Sequence, residues 1–260
     1  MFVSKYIFFD IDGTLRSKTN NKIPLSAYQA VTALKRKGYK IGIATGRGLF
    51  SARMFAQELD MDFVISDGGR CVSLDGKIVY ANYIPEEVVQ AVSEFASNHG
   101  YEIGYSNHFA IHSTSDVFTK AFDLDQTILC SQKKEIDVSK LYGLTKLYLW
   151  GNRDAFENEA ELAKIEHHWL REKLCVIEHF HKDEGIQVLE KLLGLTSEDM
   201  IAFGDDINDI TMFDHCKVSV AMGNSNEETR KHATYITSHI DEDGILKACL
   251  DLNLISKEDL

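Results

Sequence analysis

The sequence predicts an α/β protein: a parallel sheet covered by helices, with a smaller α+β unit inserted into it. Strand-like and helix-like segments alternate through the first 80 residues, and the same alternation returns after residue 182. Between these two stretches, hairpin-like strand pairs are mixed with helices instead. Alternation at this spacing favours a parallel sheet, because the connection between two parallel strands has the length of a helix.

The apolar pattern marks the individual elements of the two alternating stretches. The first contains strands at Tyr6–Asp10, Tyr39–Ala44 and Phe63–Ser66 and helices at Pro24–Lys37 and Phe50–Leu59. The second contains helices at Gly185–Leu193, Asp209–His215 and Asn226–His232 and strands at Met200–Phe203, Val218–Ala221 and Tyr235–Thr237. Proline suits the first turn of the first helix, and Gly38 suits its end.

The middle of the chain has a different pattern. Its predicted helices are Pro85–His99 and Ala155–Arg171, and its predicted strands are Tyr101–Tyr105, Phe109–His112, Lys146–Trp150 and Leu174–Glu178. We therefore divide the chain into a core domain, residues 1–81 and 182–260, and an inserted unit of residues 82–181.

Charge and composition exclude several classes of protein. The net charge of −12 argues against a nucleic-acid partner, because such a partner requires clustered basic residues. No apolar run approaches the roughly 20 residues of a membrane span, and we expect no export signal and no membrane partner. The five cysteines are scattered, which favours free thiols and a cytoplasmic location. A small anionic substrate is compatible with this charge if positive charge is supplied locally.

Polar residues follow four of the predicted strands, at the point where each strand ends. These residues are Asp10, Thr45, Asp67 and Asp205. Ligands of open parallel α/β sheets bind beyond the carboxyl ends of the strands. The four strand ends therefore point to one site.

Carboxylates are dense around two of these strand ends. Asp12 follows Asp10, and the segment GDDIND adds Asp205, Asp206, Asn208 and Asp209. Adjacent carboxylates repel one another, so a cation or a proton has to offset them. Oxygen ligands of this kind suit Mg²⁺, which also binds phosphate oxygens. For Asp206 and Asp209, capping of a helix N-terminus is an alternative interpretation.

Four short motifs, in order along the chain, resemble those of the haloacid dehalogenase superfamily, in its Cof-type branch. They are DIDGTL from Asp10, IATGR from Ile43, Lys182 ahead of Gly185-Ile186, and GDDIND from Gly204. The segments AMGNSNEE and DEDGI resemble the tail of that branch. The resemblance implies a Rossmann-like parallel-sheet core, an inserted α+β cap that sets substrate specificity, and phosphatase activity that depends on Mg²⁺.

The resemblance also implies roles for individual residues. Asp10 corresponds to the nucleophile, Asp12 to the general acid/base, and Thr45 and Lys182 to the other catalytic groups. Residues implied to contact phosphate or substrate are Gly13, Thr14, Gly46, Arg47 and Asn208, and the Gly13-Thr14 turn is expected to direct backbone N–H groups at the phosphate. Residues implied in metal binding are Asp10, Asp12 through its carbonyl, Asp205 and Asp209. The implied role of Asp209 is to hold Lys182, or a water bound to the metal, in place. Lys182 could instead be a surface lysine, and Arg47 could instead support the scaffold; both alternatives stay open.

Two residues depart from the pattern of the branch. Asp67 stands where many relatives have asparagine, and its carboxylate is expected near the mouth of the site. Arg16 stands where an apolar residue is common, and we expect it to face the cap or the substrate.

The expected function is hydrolysis of small phosphate monoesters, such as sugar phosphates, by way of an aspartyl-phosphate. The partner is then a small phosphorylated metabolite, and the protein is a monomer or a homodimer. A phosphosugar mutase and a sensor of phosphorylated metabolites without catalysis are the alternatives.

Overall fold

The computed structural model describes residues 5–122, 125 and 127–260. The strands, in chain order, are β1 (Tyr6–Phe9), β2 (Lys40–Ala44), β3 (Phe63–Ser66), β4 (Cys71–Leu74), β5 (Lys77–Ala81), β6 (Glu102–Asn107), β7 (Ile111–Ser113), β8 (Cys130–Gln132), β9 (Leu144–Trp150), β10 (His167–Arg171), β11 (Leu174–Ile177), β12 (Met200–Gly204), β13 (Val218–Ala221) and β14 (Tyr235–Ile236). The helices are α1 (Leu25–Arg36), α2 (Leu49–Glu58), α3 (Glu86–His99), α4 (Val117–Ala121), α5 (Arg153–Glu157), α6 (Lys182–Leu193), α7 (Ile210–His215), α8 (Glu227–His232) and α9 (Gly244–Asp251).

The chain forms two compact units. The first consists of Met1–Gly46, Phe55–Tyr80 and His181–Leu260, and the second of Arg47–Met54 and Ala81–Phe180. The sequence-based division did not assign Arg47–Met54 to the second unit. This segment belongs there because the Phe50 N–H donates to the His108 carbonyl (2.9 Å) and the Arg47 side chain pairs with Asp125.

An eight-stranded sheet forms the first unit, with the order β14-β13-β12-β1-β2-β3-β4-β5. The six strands from β14 to β3 are parallel, as the sequence predicted, while β4 runs antiparallel to β3. The prediction missed β4 and β5. Asp75 and Gly76 between them both have positive φ (47° and 75°), which is the backbone of a type I′ hairpin turn and the conformation that an Asp-Gly pair favours.

Apolar side chains of β1, β3 and α6 form part of the core of this unit. Phe8 and Phe63 lie with ring centroids 5.0 Å apart, and Ile186 and Leu189 of α6 are fully buried beside them. α6 approaches β3 closely at Gly185, where an added Cβ would lie 2.4 Å from Ile65 Cγ2. This contact fixes the first turn of α6, which begins at Lys182, three residues earlier than predicted.

A second sheet, with the order β10-β11-β9-β6-β7-β8, forms the second unit. Its pairs are antiparallel except for β7 and β8, which are parallel. Alternate residues of β9 pack on opposite faces of the sheet: Leu147 and Leu149 lie in one apolar cluster, and Tyr148 lies in another. The mixture of strands and helices predicted for this part of the chain is therefore present.

The predicted helix over Ala155–Arg171 is wrong. Only α5 is helical there, and β10 pairs antiparallel with β11, with His167 opposite Ile177. The Trp169 side chain donates to Glu157 Oε1 at 2.8 Å, so it also ties the strand to α5. Leu162 and Ile165 imitate a helical stripe, but cross-strand pairing decides the structure.

No helix among the described residues combines the length and the apolarity that a bilayer crossing requires.

Candidate active site

The strand register brings three of the predicted residues to the same edge of the first sheet. Phe9, the last residue of β1, lies opposite Ile43 of β2 and Phe203 of β12. Because parallel strands end together, Asp10 follows at this edge, and Thr45 and Asp205 each lie one residue further along their strands. Asp10, Thr45 and Asp205 are all at least nine-tenths buried.

Lys182 joins the two acidic motifs. Its Nζ atom donates to Asp10 Oδ1 at 2.7 Å and to Asp209 Oδ1 at 2.6 Å, and its side chain is 1% exposed. The alternative of a surface lysine is therefore wrong. Burial lowers the pKa of Lys182, but Asp10 and Asp209 outweigh burial and raise it, so the ammonium group stays charged.

Asp209 is held by donors on both of its oxygens. Oδ1 accepts from Lys182, while Oδ2 accepts from the backbone N–H groups of Asp205 (2.8 Å) and Asp206 (3.0 Å). The helix-capping interpretation holds here, since Asp206 and Asp209 form a capping box around the short turn Ile207–Asp209. Capping and orientation of Lys182 are thus compatible roles of one carboxylate.

Burial raises the pKa values of two carboxyl groups in this cluster. It raises the pKa of Asp10 from 3.8 to about 8, with Lys182 opposing the shift and Asp209 and Asp205 adding to it. It raises the pKa of Asp205 to about 6, with Lys18 opposing the shift. Both carboxylates are therefore destabilised by their surroundings, and a cation between them would restore the charged form.

The donor atoms in this cluster fit a hard divalent cation. Asp10, Asp205 and Asp209 each offer a carboxylate oxygen, and these atoms lie within 4.8 Å of one another. All are oxygens, which are the ligands that Mg²⁺ prefers.

The loop after β1 makes a tight turn at Gly13. Gly13 has φ of 96°, and an added Cβ would lie 2.1 Å from Asp205 Oδ2, so no other residue fits there without a shift. The N–H groups of Gly13 and Thr14, which were expected to donate to phosphate, donate within the turn instead. Their acceptors are the carbonyls of Arg16 (2.8 Å) and Ile11 (3.3 Å), respectively. The Thr14 hydroxyl instead lies 3.4 Å from Asp205 Oδ1.

Asp12 forms an ion pair with Arg16, in which Nη1 lies 2.9 Å from Asp12 Oδ1. Arg16 Nε also donates to the Asn21 carbonyl at 3.3 Å. Arg16 therefore orients the carboxylate expected to act as general acid/base, a contact that the sequence analysis did not foresee.

Asn208 lies beside the loop that follows β2. An added Cβ on Gly46 would lie 3.8 Å from Asn208 Nδ2, so the two motifs that carry these residues meet. Thr45 is held in the same loop: its N–H donates to the Ile65 carbonyl (3.0 Å), and its carbonyl accepts from the Gly68 N–H (3.1 Å).

Arg47 belongs to the second unit, unlike the other predicted site residues. Its guanidinium group pairs with Asp125 (2.8 Å) and donates to the hydroxyls of Thr127 (2.7 Å) and Ser51 (2.9 Å). These contacts are what the scaffold alternative requires, while a substrate contact stays a prediction.

Asp67 is fully buried, with φ of 54°, and Ser66 Oγ donates to its Oδ2 at 3.0 Å. Its carboxylate is enclosed by protein, and its expected place near the mouth of the site stays a prediction. A short polar side chain is among the few that adopt a positive φ, and this explains aspartate or asparagine at the position.

Two residues that contact Asp205 were not predicted from the sequence. Lys18 Nζ lies 2.8 Å from Asp205 Oδ2, and Asn224 Nδ2 lies 3.4 Å from the same oxygen. Asn224 stands in the AMGNSNEE segment, which drew attention as a tail motif but without a role. The only signal for Lys18 was a basic residue close to the DIDGTL motif.

Several known proteins are similar to this chain along nearly its whole length. The model of the haloacid dehalogenase-like hydrolase family matches residues 7–249. A Streptococcus pyogenes relative, provisionally named a bifunctional phosphatase/peptidyl-prolyl cis-trans isomerase, is 33% identical over 265 residues, which cover 98% of this chain and 55% of the relative. The chain thus spans about half the length of that protein.

Two further proteins match along their whole length. YkrA of Bacillus subtilis, provisionally named a phosphatase, is 29% identical over 274 residues, which cover 97% of this chain and 99% of YkrA. The solved structure of BT4131, described as a sugar phosphatase of subclass IIB, has a TM-score of 0.79 and 28% identity and covers 97% of this chain and 100% of that one. Phosphatases of this family generally use a divalent metal ion and act on phosphorylated small molecules. The chain therefore belongs to the haloacid dehalogenase-like hydrolases of the Cof type, and within that family it is a phosphoric monoester hydrolase.

Proposed function

We propose that this protein is a Mg²⁺-dependent phosphatase that hydrolyses small phosphate monoesters, sugar phosphates or related metabolites, through an aspartyl-phosphate intermediate. The observation that carries the proposal is the buried Lys182 ammonium group between Asp10 and Asp209. Lys182 holds the carboxylate of Asp10, the proposed nucleophile, in one orientation. It also supplies positive charge where a phosphoryl group would bind.

In the first step, a carboxylate oxygen of Asp10 attacks phosphorus. The new bond joins that oxygen to phosphorus, the bond from phosphorus to the ester oxygen breaks, and Asp12 gives a proton to the departing alkoxide. Asp12 enters this step protonated and leaves it as a carboxylate, and Arg16 keeps its carboxyl group in one orientation.

In the second step, water attacks the aspartyl-phosphate. Asp12 takes the proton of the water, the bond between phosphorus and Asp10 breaks, and inorganic phosphate leaves. Lys182 stabilises the negative charge that develops in both steps.

We assign the remaining residues to binding. Mg²⁺, when bound by Asp10, Asp205 and the Asp12 carbonyl, would neutralise phosphate charge and hold the phosphoryl group in line with the nucleophile. The Thr45 hydroxyl and the Asn208 amide are our candidates for contacts with phosphate oxygens, and Gly46 leaves space for them. Asp209 orients Lys182.

The substrate class rests on chemistry and on resemblance. The net charge of −12 makes a large polyanion an unfavourable substrate, while the local cations suit one phosphate group. BT4131 is described as a sugar phosphatase, which supports sugar phosphates as the first substrates to test. We propose that the second unit selects the leaving group, that the protein is a monomer or a homodimer, and that it acts in the cytoplasm, where its five free thiols would stay reduced.

Phosphate release from a panel of sugar phosphates, with Mg²⁺ or with EDTA, tests the proposal. We expect Asp10→Asn to lose about 10³-fold or more in kcat, as nucleophile variants do, and EDTA to abolish release from the wild type. Asp62→Asn is the matched control, because Asp62 accepts from the Ile41 N–H at the opposite end of β2. Near-normal turnover of Asp10→Asn would refute the nucleophile assignment, and phosphate found on a second sugar instead of in solution would indicate a mutase.

A further inference from the structure

The Asn224 amide connects three segments of the first unit. Nδ2 donates to the Gly13 carbonyl at 2.8 Å and lies 3.4 Å from Asp205 Oδ2. Oδ1 accepts from the Ile240 N–H at 3.0 Å. One side chain thus contacts the nucleophile loop, the end of β12 and the segment that follows β14.

The orientation of this amide is fixed by its acceptor side. Because the Ile240 N–H can only donate, Oδ1 must face it, and the NH₂ group must face Gly13 and Asp205. The backbone that carries Asn224 is held as well: the Gly223 N–H donates to the Ser238 carbonyl (2.9 Å), and an added Cβ on Gly223 would lie 2.4 Å from the His239 nitrogen.

The two acceptors of the NH₂ group bear on the proposed metal ligands. Gly13 directly follows Asp12, whose carbonyl is one of those ligands, and Asp205 is another. The turn at Gly13 packs so closely against the Asp205 carboxylate that there is no space for a Cβ atom on residue 13. A donor that holds both groups therefore sets the distance between two parts of the metal site.

We propose that Asn224 is a positioning residue for the metal site, whose NH₂ group holds the Gly13 carbonyl and the Asp205 carboxylate in register with each other. This inference rests on the proposed function, because it concerns the binding of the same ion. It also gives the AMGNSNEE segment a role: it carries the amide and links the DEDGI segment to the nucleophile loop through Ile240.

The chain offers a matched control two residues away. Asn226 accepts from the Thr229 N–H (2.9 Å) as the cap of α8, and its Nδ2 lies 3.3 Å from Asp206 Oδ1. Asn226→Ala therefore removes an asparagine from the same loop without removing a donor to Gly13 or Asp205.

The test measures Mg²⁺ binding by calorimetry without substrate, together with kcat/KM and the melting temperature. We expect Asn224→Ala to raise the Kd for Mg²⁺ by about 10- to 100-fold and to lower kcat/KM by about the same factor. This is the usual effect of losing a group that orients metal ligands. Asn226→Ala should keep both values within about threefold of the wild type, whatever its melting temperature.

The variant Asn224→Asp distinguishes positioning of the metal ligands from a purely structural role of Asn224 in holding the Ile240 N–H. This variant keeps an oxygen for the Ile240 N–H, so the link to that segment survives, but it places an oxygen where the NH₂ group faced the Gly13 carbonyl and Asp205. We expect its kcat/KM to fall as in Asn224→Ala.

Three outcomes would overturn the inference. These are wild-type Mg²⁺ binding and kcat/KM in Asn224→Ala, wild-type kcat/KM in Asn224→Asp, and equal losses in Asn226→Ala. Each would leave the proposed function intact as long as the wild type binds Mg²⁺ and releases phosphate. A wild type that does neither would overturn the proposed function and, with it, the metal site that Asn224 is inferred to position.

Discussion

Replacement of Lys182 by methionine isolates the contribution of its buried charge. Methionine has nearly the same length and apolar stem, so the change removes the ammonium group and little else. At an effective dielectric constant of about 20, two unit charges separated by the 2.7 Å between Lys182 Nζ and Asp10 Oδ1 attract by roughly 6 kcal/mol. Dehydration of the charges offsets part of this attraction, and removal of one partner from a buried pair typically costs about 3–5 kcal/mol.

The structure places Lys182→Met at the lower end of that range. Without the lysine, Asp10 can take up a proton, because burial raises its pKa and Lys182 is the group that opposes this rise. Asp209 keeps the N–H donors from Asp205 and Asp206 on one oxygen. We therefore expect a loss of about 3 kcal/mol in the free energy of unfolding at pH 7.5 with EDTA, and a loss of about 10²- to 10³-fold in kcat with Mg²⁺.

Urea denaturation and phosphate release measure the two effects. Lys18→Met is the control for stability, since Lys18 also pairs with an aspartate of the site but its side chain is 56% exposed. Because water screens the exposed Lys18 ammonium group, its pair with the buried Asp205 should contribute about 1 kcal/mol, well below the loss expected for Lys182→Met. If Lys182→Met lost less than about 1 kcal/mol, or kept kcat within about threefold of the wild type, the reasoning about the buried charge would be refuted.

Two further predictions concern pH and the nucleophile loop. The raised pKa of Asp10 means that the folded protein holds this proton more tightly than the unfolded chain, so its contribution to stability is complete below about pH 4 and is lost as pH rises through about 8. Mg²⁺ binds the deprotonated form, so the increase in melting temperature caused by Mg²⁺ should grow between pH 6 and 8.5, and a constant increase would contradict this. Gly13→Ala should lower kcat/KM by about 10²-fold or more, because its Cβ collides with Asp205, whereas Gly38→Ala, also at positive φ but with no atom within 4 Å, should cost only about 1 kcal/mol of stability and no activity. Equal kcat/KM in the two glycine variants would show that the close approach to Asp205 is unimportant.

Local patterns were sufficient for the parts of the site that lie at strand ends. Strands β1, β2 and β12 end one residue before Asp10, Thr45 and Asp205, and parallel pairing then brings these ends together. Local patterns did not identify Lys182, because a lysine at the start of an amphipathic helix is usually exposed. Only the resemblance to the family assigned it to the site. Its burial depends on the close approach of α6 to β3, which no pattern in the sequence measures.

Contacts made by loops were beyond sequence reasoning for a different reason. Asn224 and Lys18 reach Asp205 from turns whose paths depend on distant backbone contacts, such as that of Gly223 with Ser238. The segment now seen as β10 was misread because its short apolar spacing suits both a helix and a strand, and only pairing with β11 decides between them. The β4–β5 hairpin, by contrast, carried an Asp-Gly signal that could have been used.

The position of β1 in the sheet has a consequence for the biosynthesis of this protein. β1 lies between β2 and β12, and β12 begins only at residue 200, after the whole second unit. While the nascent chain emerges from the ribosome, one edge of this apolar strand has no partner until the last quarter of the chain is made. Unpaired edges invite association with other chains, and pairings between distant segments form slowly. We therefore expect the second unit to fold early and the closure of the main sheet to limit the rate of folding.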